Sequence, residues 1–205
     1  MKGAARLAVA AAALALAACP SMGGRCPPPC ERIVVEGDRP YCTGGEEDMR
    51  RLRALVARLG TVSDAEAIET GRAIVSRGEA AVPPLLESLR APEPRLRAAS
   101  AYLLGVLKDR RTLPALGAAT ADPVPSVRYE AAGALLEMQD PAGYRVLVDG
   151  LEDPDPRLRA KCLDVLQEKT AQTFGFEADA APADRAAAVR RWRAWLAARE
   201  ASIPR

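Results

Sequence analysis

A proline-rich turn recurs three times in this sequence at a spacing of 31 residues, and this spacing constrains the fold more than any other feature. The three copies cover residues 91–97, 122–128 and 153–159, and each ends in leucine or valine followed by arginine. A period of about 20 to 50 residues is typical of solenoids, in which each repeat buries its apolar face against its neighbours. The sequence therefore predicts a repeat array.

Each copy contains the apolar pattern of two helices. The second helix should begin at the Pro-x-Pro turn, because proline is tolerated in the first turn of a helix. Apolar residues then follow on one helical face, with Leu104, Leu135 and Leu166 at the same phase of the period. We therefore expect Leu135 to be buried between repeats and Glu137 to lie off the apolar face.

These patterns predict an all-α fold, namely a short right-handed α-solenoid of helix pairs over residues 47–169. Residues 47–78 form a degenerate first pair, in which Ser63 and Glu66 have the spacing of a capping box. Residues 79–169 form the repeats. The chain is 49% hydrophobic but only 4% aromatic, which favours closely packed helices over a β-sandwich.

The repeat motif resembles that of HEAT repeats, specifically the short bacterial HEAT-like type that is also found in phycobilisome lyases. The resemblance covers about residues 79–169 and is carried by the Asp/Glu-Pro-x-Pro-x-Val/Leu-Arg turn. It implies that the arginine of each turn joins a ladder of acid–base contacts between repeats. The implied ladder residues are Arg97, Arg128 and Arg159, with Asp122 and Asp153 as acidic partners. As an alternative, the three arginines form an anion-binding row.

Residues 170–205 break the period and are interpreted as a loop and a C-terminal capping helix. Val189, Trp192 and Leu196 share one face of this helix, which would cover the open core of the last repeat. As an alternative, basic side chains of the helix contact anionic lipid headgroups. These side chains belong to Arg190, Arg191, Arg193 and Arg199.

Residues 1–18 have the pattern of a bacterial lipoprotein signal peptide. A basic start precedes an uncharged stretch from Leu7 to Leu16, which is too short to span a bilayer but suits a secretory signal. The sequence Leu16-Ala17-Ala18-Cys19 resembles a bacterial lipobox, which implies cleavage before Cys19 and acylation of its thiol. By resemblance to enterobacterial sorting, Pro20 implies the outer membrane. An ordinary cleaved signal peptide is the alternative.

Export would leave the protein formally neutral. Removal of Lys2 and Arg6 lowers the count of Lys plus Arg from 29 to 27, which equals the 27 Asp plus Glu. A neutral exported chain lacks the electrostatic basis for binding nucleic acid, so we expect no such partner.

Residues 19–46 are predicted to form a Cys/Pro-rich tether. The candidates for a disulfide in an oxidising compartment are Cys26, Cys30 and Cys42. An extended three-proline segment would hold Cys26 and Cys30 about 12 Å apart, beyond the ~7 Å that a disulfide can bridge, so Cys42 should pair with one of them. This bridge would close a small hairpin formed by residues 33–35 and the Gly37-Asp38 turn. A three-thiolate zinc site and a disordered tether are the alternatives.

The sequence contains no histidine, which removes Ser–His–acid triads, Cys–His dyads and histidine-ligated metal sites. Cys162 occupies the core position of Ser100 and Ala131, which indicates a packing residue rather than a nucleophile. We therefore expect a non-catalytic protein without cofactor or metal.

It would be anchored by lipid in the cell envelope, face the periplasm and act as a scaffold for a protein or peptide partner. The alternatives are a lyase-like or chaperone-like binder of a small prosthetic group and a structural envelope component.

Overall fold

The computed structural model describes residues 32–36 and 39–201 of the 205-residue chain. In this part of the chain a two-stranded hairpin, β1 (Arg32–Glu36) and β2 (Arg39–Thr43), precedes nine α-helices. The helices are α1 (Glu46–Arg58), α2 (Asp64–Val75), α3 (Val82–Ser88), α4 (Pro94–Leu107), α5 (Leu113–Ala119), α6 (Pro125–Glu137), α7 (Ala142–Gly150), α8 (Pro156–Thr170) and α9 (Pro182–Ala201). Short 3₁₀ turns at Gly78–Ala81 and Arg110–Thr112 lead into α3 and α5. The predicted array of helix pairs is confirmed.

The second helices of the repeats begin at the predicted prolines Pro94, Pro125 and Pro156. The residue before each of these prolines has an extended backbone, because the proline ring disfavours helical geometry there. The degenerate first pair, α1 and α2, is also present, and its capping box is formed. The Ser63 hydroxyl accepts a hydrogen bond from the Glu66 backbone N–H, and the Glu66 carboxylate accepts one from the Ser63 backbone N–H.

The leucines at one phase of the period lie in the core, as predicted. Leu104, Leu135 and Leu166 have at most 1% of their surface exposed. The core consists of two clusters, one running from the hairpin to α6 and the other from α6 to α9. Helix α6 contributes to both, with Leu135 in the first cluster and Leu136 in the second. A helix that is apolar on both sides is a buried helix, and α6 is the element that joins the two cores.

The hairpin packs against the array. Tyr41 and Thr43 of β2 are 1% and 4% exposed, and β2 contacts the turn at Gly78–Ala81. The Arg111 guanidinium lies 4.2 Å from the centre of the Tyr41 ring. Residues 32–36 and 39–43 therefore form the two strands of the predicted hairpin.

Most of the predicted N-terminal features lie outside the described residues. These are the signal peptide, Cys19, Cys26, Cys30 and the Gly37-Asp38 turn. Cys42 lies in β2 opposite Ile33, but its side chain is not among those described. The disulfide between Cys42 and Cys30 or Cys26 stays a prediction.

The C-terminal helix covers the end of the array, as the capping prediction requires. Val189, Trp192 and Leu196 are buried in the second core cluster. Trp192 makes an edge-to-face contact with Phe174, with ring centres 4.8 Å apart. Such contacts bury large apolar surfaces that the last repeat would otherwise expose to water.

Three of the four arginines of α9 that were considered for lipid contact have partners within the fold. Arg191 donates a hydrogen bond to the backbone carbonyl of Phe174, and Arg193 donates one of 2.5 Å to Glu152. Arg199 lies 5.0 Å from the centre of the Tyr144 ring. These contacts favour the capping role of α9 over the alternative. No helix in residues 39–201 combines the length and the apolar run needed to cross a bilayer.

Candidate functional site

The first rung of the arginine ladder is a bidentate ion pair between repeats. Arg97 Nε and Nη2 donate hydrogen bonds of 2.7 and 2.9 Å to the two carboxylate oxygens of Asp122. The third nitrogen, Nη1, donates to the backbone carbonyls of Ala91 and Pro92. Both charged side chains are about nine-tenths buried, at 12% and 10% exposure. The hydrogen bond from Arg97 lowers the pKa of Asp122, and all three side-chain nitrogens of Arg97 donate hydrogen bonds within the fold.

The second rung does not repeat this ion pair. Asp153 accepts a 2.7 Å hydrogen bond from the Tyr129 hydroxyl, while Arg128 donates to the backbone carbonyls of Asp122 and Pro123 and lies 5.6 Å from the centre of the Tyr129 ring. The physical cause is Tyr129, because the corresponding residues of the other repeats are alanines, which have no hydroxyl. Burial, followed by the contact with Asp153, raises the pKa of Tyr129, so its hydroxyl stays protonated and donates.

The third rung has no acidic partner. Arg159 Nε and Nη2 donate hydrogen bonds of 2.9 and 2.6 Å to the backbone carbonyl of Ala178, and Nη1 donates to the carbonyls of Asp153 and Pro154. The loop after α8 thus supplies an acceptor where a further repeat would have supplied a carboxylate. All three side-chain nitrogens of Arg97 and of Arg159 donate to internal acceptors, and Nη1 of Arg128 donates to two backbone carbonyls. These contacts favour a structural role for the arginine row over an anion-binding one.

A second set of charged pairs connects the repeats, and the sequence analysis missed it. Arg95 donates a 2.6 Å hydrogen bond to Asp64, and Lys161 donates one to Glu130, in both cases across 31 residues. Glu137 was expected to lie off the apolar face. It pairs with both Lys108 and Lys169 and is half-buried, so it is not a free surface residue. The sequence contains a signal for the first two pairs, because the two members of each are 31 residues apart, which is also the spacing of the prolines.

We expect the stability of the protein to fall as the pH is lowered from about 5 to about 2. Hydrogen bonds from Arg97 and Lys169 lower the pKa values of Asp122 and Glu137 in the folded state. The stabilisation by such carboxylates is complete above their unfolded pKa of about 4 and is lost as the pH falls through the lower folded value. Urea unfolding at several pH values measures this loss, which should be smaller in Asp122→Asn. An equal loss in that variant would contradict the assignment.

The second helices α2, α4, α6 and α8 contact one another in chain order, and we call their solvent-facing side the second-helix surface. Ile68 on α2 and Tyr102 and Val106 on α4 are the exposed large apolar side chains of the described residues, at 57%, 56% and 40% exposure. All three lie on this surface. The part contributed by α6 and α8 is polar and includes the Glu130–Lys161 pair and Asp164. The surface therefore changes from apolar to charged along the array.

Gly133 lies on α6 at the phase of the period that Tyr102 occupies on α4. A side-chain Cβ at this position would meet only Val165 Cγ1, at an ordinary contact distance of 3.9 Å. Internal packing therefore does not require glycine here, although glycine in a helix costs about 0.5–1 kcal/mol relative to alanine. Gly133 leaves a notch in the second-helix surface.

An open groove lies between α1 and α2. Its volume is about 460 Å³. The lining residues are Leu55, Arg58, Ala65, Glu66, Glu69, Thr70 and Ala73. Glu66 and Glu69 already have partners in Ser63 and Arg72, so the groove offers little unsatisfied polar chemistry.

Cys162 is buried and reduced, as the sequence predicts. Burial, with the nearby Asp153 carboxylate, raises the pKa of its thiol to about 12, so it is not poised as a nucleophile. In the part of the chain that the structure describes, no group of three or more Cys, Asp or Glu side chains is placed to hold a metal ion.

Comparison with known proteins agrees with this architecture. Residues 82–167 match the family of HEAT repeats. Deoxyhypusine hydroxylase from Bos taurus is 34% identical over 104 residues, which are 48% of this chain and 34% of that protein. The chain thus spans about a third of the length of this curated relative.

Two solved structures are also similar. Human deoxyhypusine hydroxylase in complex with glycerol is 29% identical, with 63% of this chain and 46% of that chain covered and a TM-score of 0.43. The complex of CpcE and CpcF of phycocyanin lyase from Nostoc sp. is 24% identical, with 71% and 99% covered and a TM-score of 0.47. The matched residues run from α3 to α8 and contain all three proline-rich turns. Residues 82–167 therefore match the HEAT-repeat family model, and they lie within an all-helical array of helix pairs.

Proposed function

We propose that this protein is a non-catalytic scaffold that binds a protein or peptide partner on its second-helix surface. The observation that carries the proposal is the location of Ile68, Tyr102 and Val106, which are exposed on two successive second helices. Solenoids use the extended surfaces of their stacked helices for binding, and exposed apolar side chains that lie together mark interaction sites. Tyrosine in particular is enriched at interfaces, because it combines a large apolar ring with a hydroxyl.

The chemistry of the second-helix surface supports a partner with one apolar and one polar end. The apolar end at α2 and α4 offers Tyr102 as an anchor, and the notch at Gly133 lets a partner approach the backbone of α6. The adjoining Glu130–Lys161 pair offers groups of both charges for hydrogen bonding. No catalytic role is needed to explain any of these residues. The Cys162 thiol is buried and its pKa is raised, which supports a protein that does not use this cysteine in catalysis.

Photo-crosslinking in intact cells tests this proposal. A photoreactive residue in place of Tyr102 should yield a discrete adduct with one partner, whereas the same residue at Ala118, on the exposed face of the first helix α5, should not. The Gly133→Ala variant should be at least as stable as the wild type but give less of the adduct, because the methyl group fills the notch. Identical adducts from positions 102 and 118 would contradict a binding site on this surface.

We further propose that the protein is a lipoprotein of the cell envelope, anchored through Cys19 in the outer membrane and facing the periplasm. The support is the Leu16-Ala17-Ala18-Cys19 sequence after an uncharged stretch of secretory length. The Cys19→Ser variant should lose incorporation of radiolabelled palmitate and leave the membrane fraction. Cys162→Ala is the matched control, because Cys162 is buried and should not affect acylation. Palmitate incorporation into Cys19→Ser at the wild-type level would refute the anchor.

A further inference from the structure

We propose that two copies of this chain associate through their β1 strands (Arg32–Glu36), which would pair antiparallel about a two-fold axis at Val34. This interface would join two hairpins into one sheet of four strands in the order β2–β1–β1–β2. The partner is a second copy of the chain, and the pairing is independent of the partner proposed for the second-helix surface.

The hairpin has an edge that another strand could join. In the described residues the sheet contains two strands, so β1 pairs with β2 on one side. Strand β2 contacts the turn at Gly78–Ala81, whereas the main contact of β1 is with β2, so β1 is the strand farther from the array. A strand at the edge of a sheet presents unpaired N–H and C=O groups and is a template for a further strand.

The register of the hairpin determines which backbone groups of β1 face outward. Glu36 pairs with Arg39 across two intervening residues, and a loop of this length is closed by a hydrogen-bonded pair. Hydrogen-bonded and non-hydrogen-bonded pairs alternate along antiparallel strands, so every second residue before Glu36 also bonds to β2. The N–H and C=O groups of Ile33 and Val35 therefore point away from β2 and are not used within the hairpin.

Pro40 agrees with this assignment and distinguishes the two edges of the hairpin. It lies opposite Val35, where the alternation requires no hydrogen bond to β1, and proline has no N–H to donate. The missing N–H is therefore on the outer edge of β2, where a proline discourages a further strand. Strand β1 contains no proline, and its central residues 33–35 are β-branched, which favours strand pairing.

One antiparallel register uses both outward-facing residues of each copy. In this register Ile33 of one copy stands opposite Val35 of the other, so the two copies of Val34 stand opposite each other. The arrangement makes four backbone hydrogen bonds, because each of its two hydrogen-bonded pairs contains two bonds. It is symmetric about Val34, as the closed dimers of identical chains usually are.

The charges along β1 favour the same register. At both ends of the paired strands, Arg32 of one copy would stand opposite Glu36 of the other, in the non-hydrogen-bonded positions where opposing residues are closest. Opposite charges that face each other across strands stabilise a sheet, and like charges destabilise it. A parallel arrangement would instead bring Arg32 near Arg32 and Glu36 near Glu36. The charges of β1 therefore complement a second copy in the antiparallel direction.

Copurification of two differently tagged copies tests the dimer. The full-length chain is coexpressed with both tags and extracted in a nonionic detergent, one tag is captured, and the retained second copy is measured. The wild type should retain it. Arg32→Glu or Glu36→Arg in both copies should reduce the retained copy about fivefold or more, because each change places two like-charged pairs across the interface.

The two charge variants also provide a rescue experiment. Coexpression of an Arg32→Glu copy with a Glu36→Arg copy should restore the retained copy to the wild-type level, because each charge again stands opposite its opposite. Glu36→Arg also places two arginines opposite each other within the hairpin, since position 36 pairs with Arg39. Rescue shows that this change has not removed the hairpin, because the same variant chains are used.

A second pair of variants tests the backbone pairing. Ile33→Pro removes an N–H that the hairpin does not use but the dimer needs, so the retained copy should fall about fivefold or more. Ile33→Thr keeps both the N–H and the β-branched shape and should behave as the wild type. Tyr102→Ala on the second-helix surface should also leave the retained copy unchanged.

The competing arrangements give different results. Absence of a retained copy with the wild type, or wild-type retention in Ile33→Pro and both charge variants, would overturn the proposal. Loss in Tyr102→Ala instead would assign the dimer to the second-helix surface. Failure of Arg32→Glu and Glu36→Arg to rescue each other would overturn the antiparallel register. Recovery of a different protein that is lost in Ile33→Pro, with no second copy, would overturn the dimer in favour of a strand from another chain.

Discussion

Leu135→Ala is expected to lower the free energy of unfolding by about 2–5 kcal/mol, the usual range for truncation of a buried leucine. Leu135 is 1% exposed and lies in the first core cluster on α6, the helix that joins the two clusters. A cavity here affects both neighbouring repeats, because the stability of a solenoid depends on contacts between neighbours. Urea unfolding followed by circular dichroism measures the loss, and both the midpoint and the steepness should change.

Ile68→Ala is the control for this prediction. Ile68 is 57% exposed on α2, so removal of its side chain should change stability by no more than about 0.5 kcal/mol. Glu137, although it lies on the same helix as Leu135, is unsuitable as a control because it pairs with Lys108 and Lys169. Equal losses in Ile68→Ala and Leu135→Ala would contradict the helical phase on which the second-helix surface depends.

Gly143→Ala is expected to destabilise the protein by about 1–3 kcal/mol, the usual cost of overpacking a core. A Cβ at position 143 would lie 2.3 Å from the backbone carbonyl oxygen of Ala132 and 2.9 Å from Leu136 Cγ. The carbonyl belongs to the backbone of α6 and cannot rotate away as a side chain could. Helices α6 and α7 must therefore move apart, which loosens the second core cluster. Thermal unfolding measures the effect.

Gly133→Ala is the matched control for Gly143→Ala. Both residues are helical glycines, but a Cβ at Gly133 would meet nothing closer than Val165 Cγ1 at 3.9 Å. Removal of this glycine should stabilise the helix by about 0.5–1 kcal/mol. Destabilisation of both variants to the same extent would show that helix propensity, and not the close approach of α6 and α7, governs these positions.

Local features of the fold were predictable because they depend on neighbouring residues. Pro94, Pro125 and Pro156 start helices as a consequence of the fixed φ angle and missing N–H group of proline. The Ser63–Glu66 capping box depends only on a spacing of three residues. The phase of Leu104, Leu135 and Leu166 followed from the helical period.

The candidate site was predictable only in part, because its partners come from different repeats. Asp122 pairs with Arg97, but Asp153 accepts a hydrogen bond from the Tyr129 hydroxyl, and this difference depends on which residues lie close together in the folded chain. Helix α6 was expected to have one apolar face, yet Leu136 is buried as well as Leu135, because a second layer of helices packs on the other side. The exposure of Tyr102 and Val106 could not be read from their apolar character.

The sequence by itself determined that this protein is an array of α-helix pairs, where its second helices begin and which leucines lie in the core. These properties follow from a repeated local pattern, in which proline geometry and the helical period act identically in each copy. The tertiary structure alone decided that Asp122 pairs with Arg97 while Asp153 pairs with Tyr129, that the hairpin docks under Arg111, and which apolar side chains stay exposed. Each of these depends on which of several competing partners lies within about 3 to 4 Å after the repeats have stacked, and stacking brings together residues that are far apart in the chain.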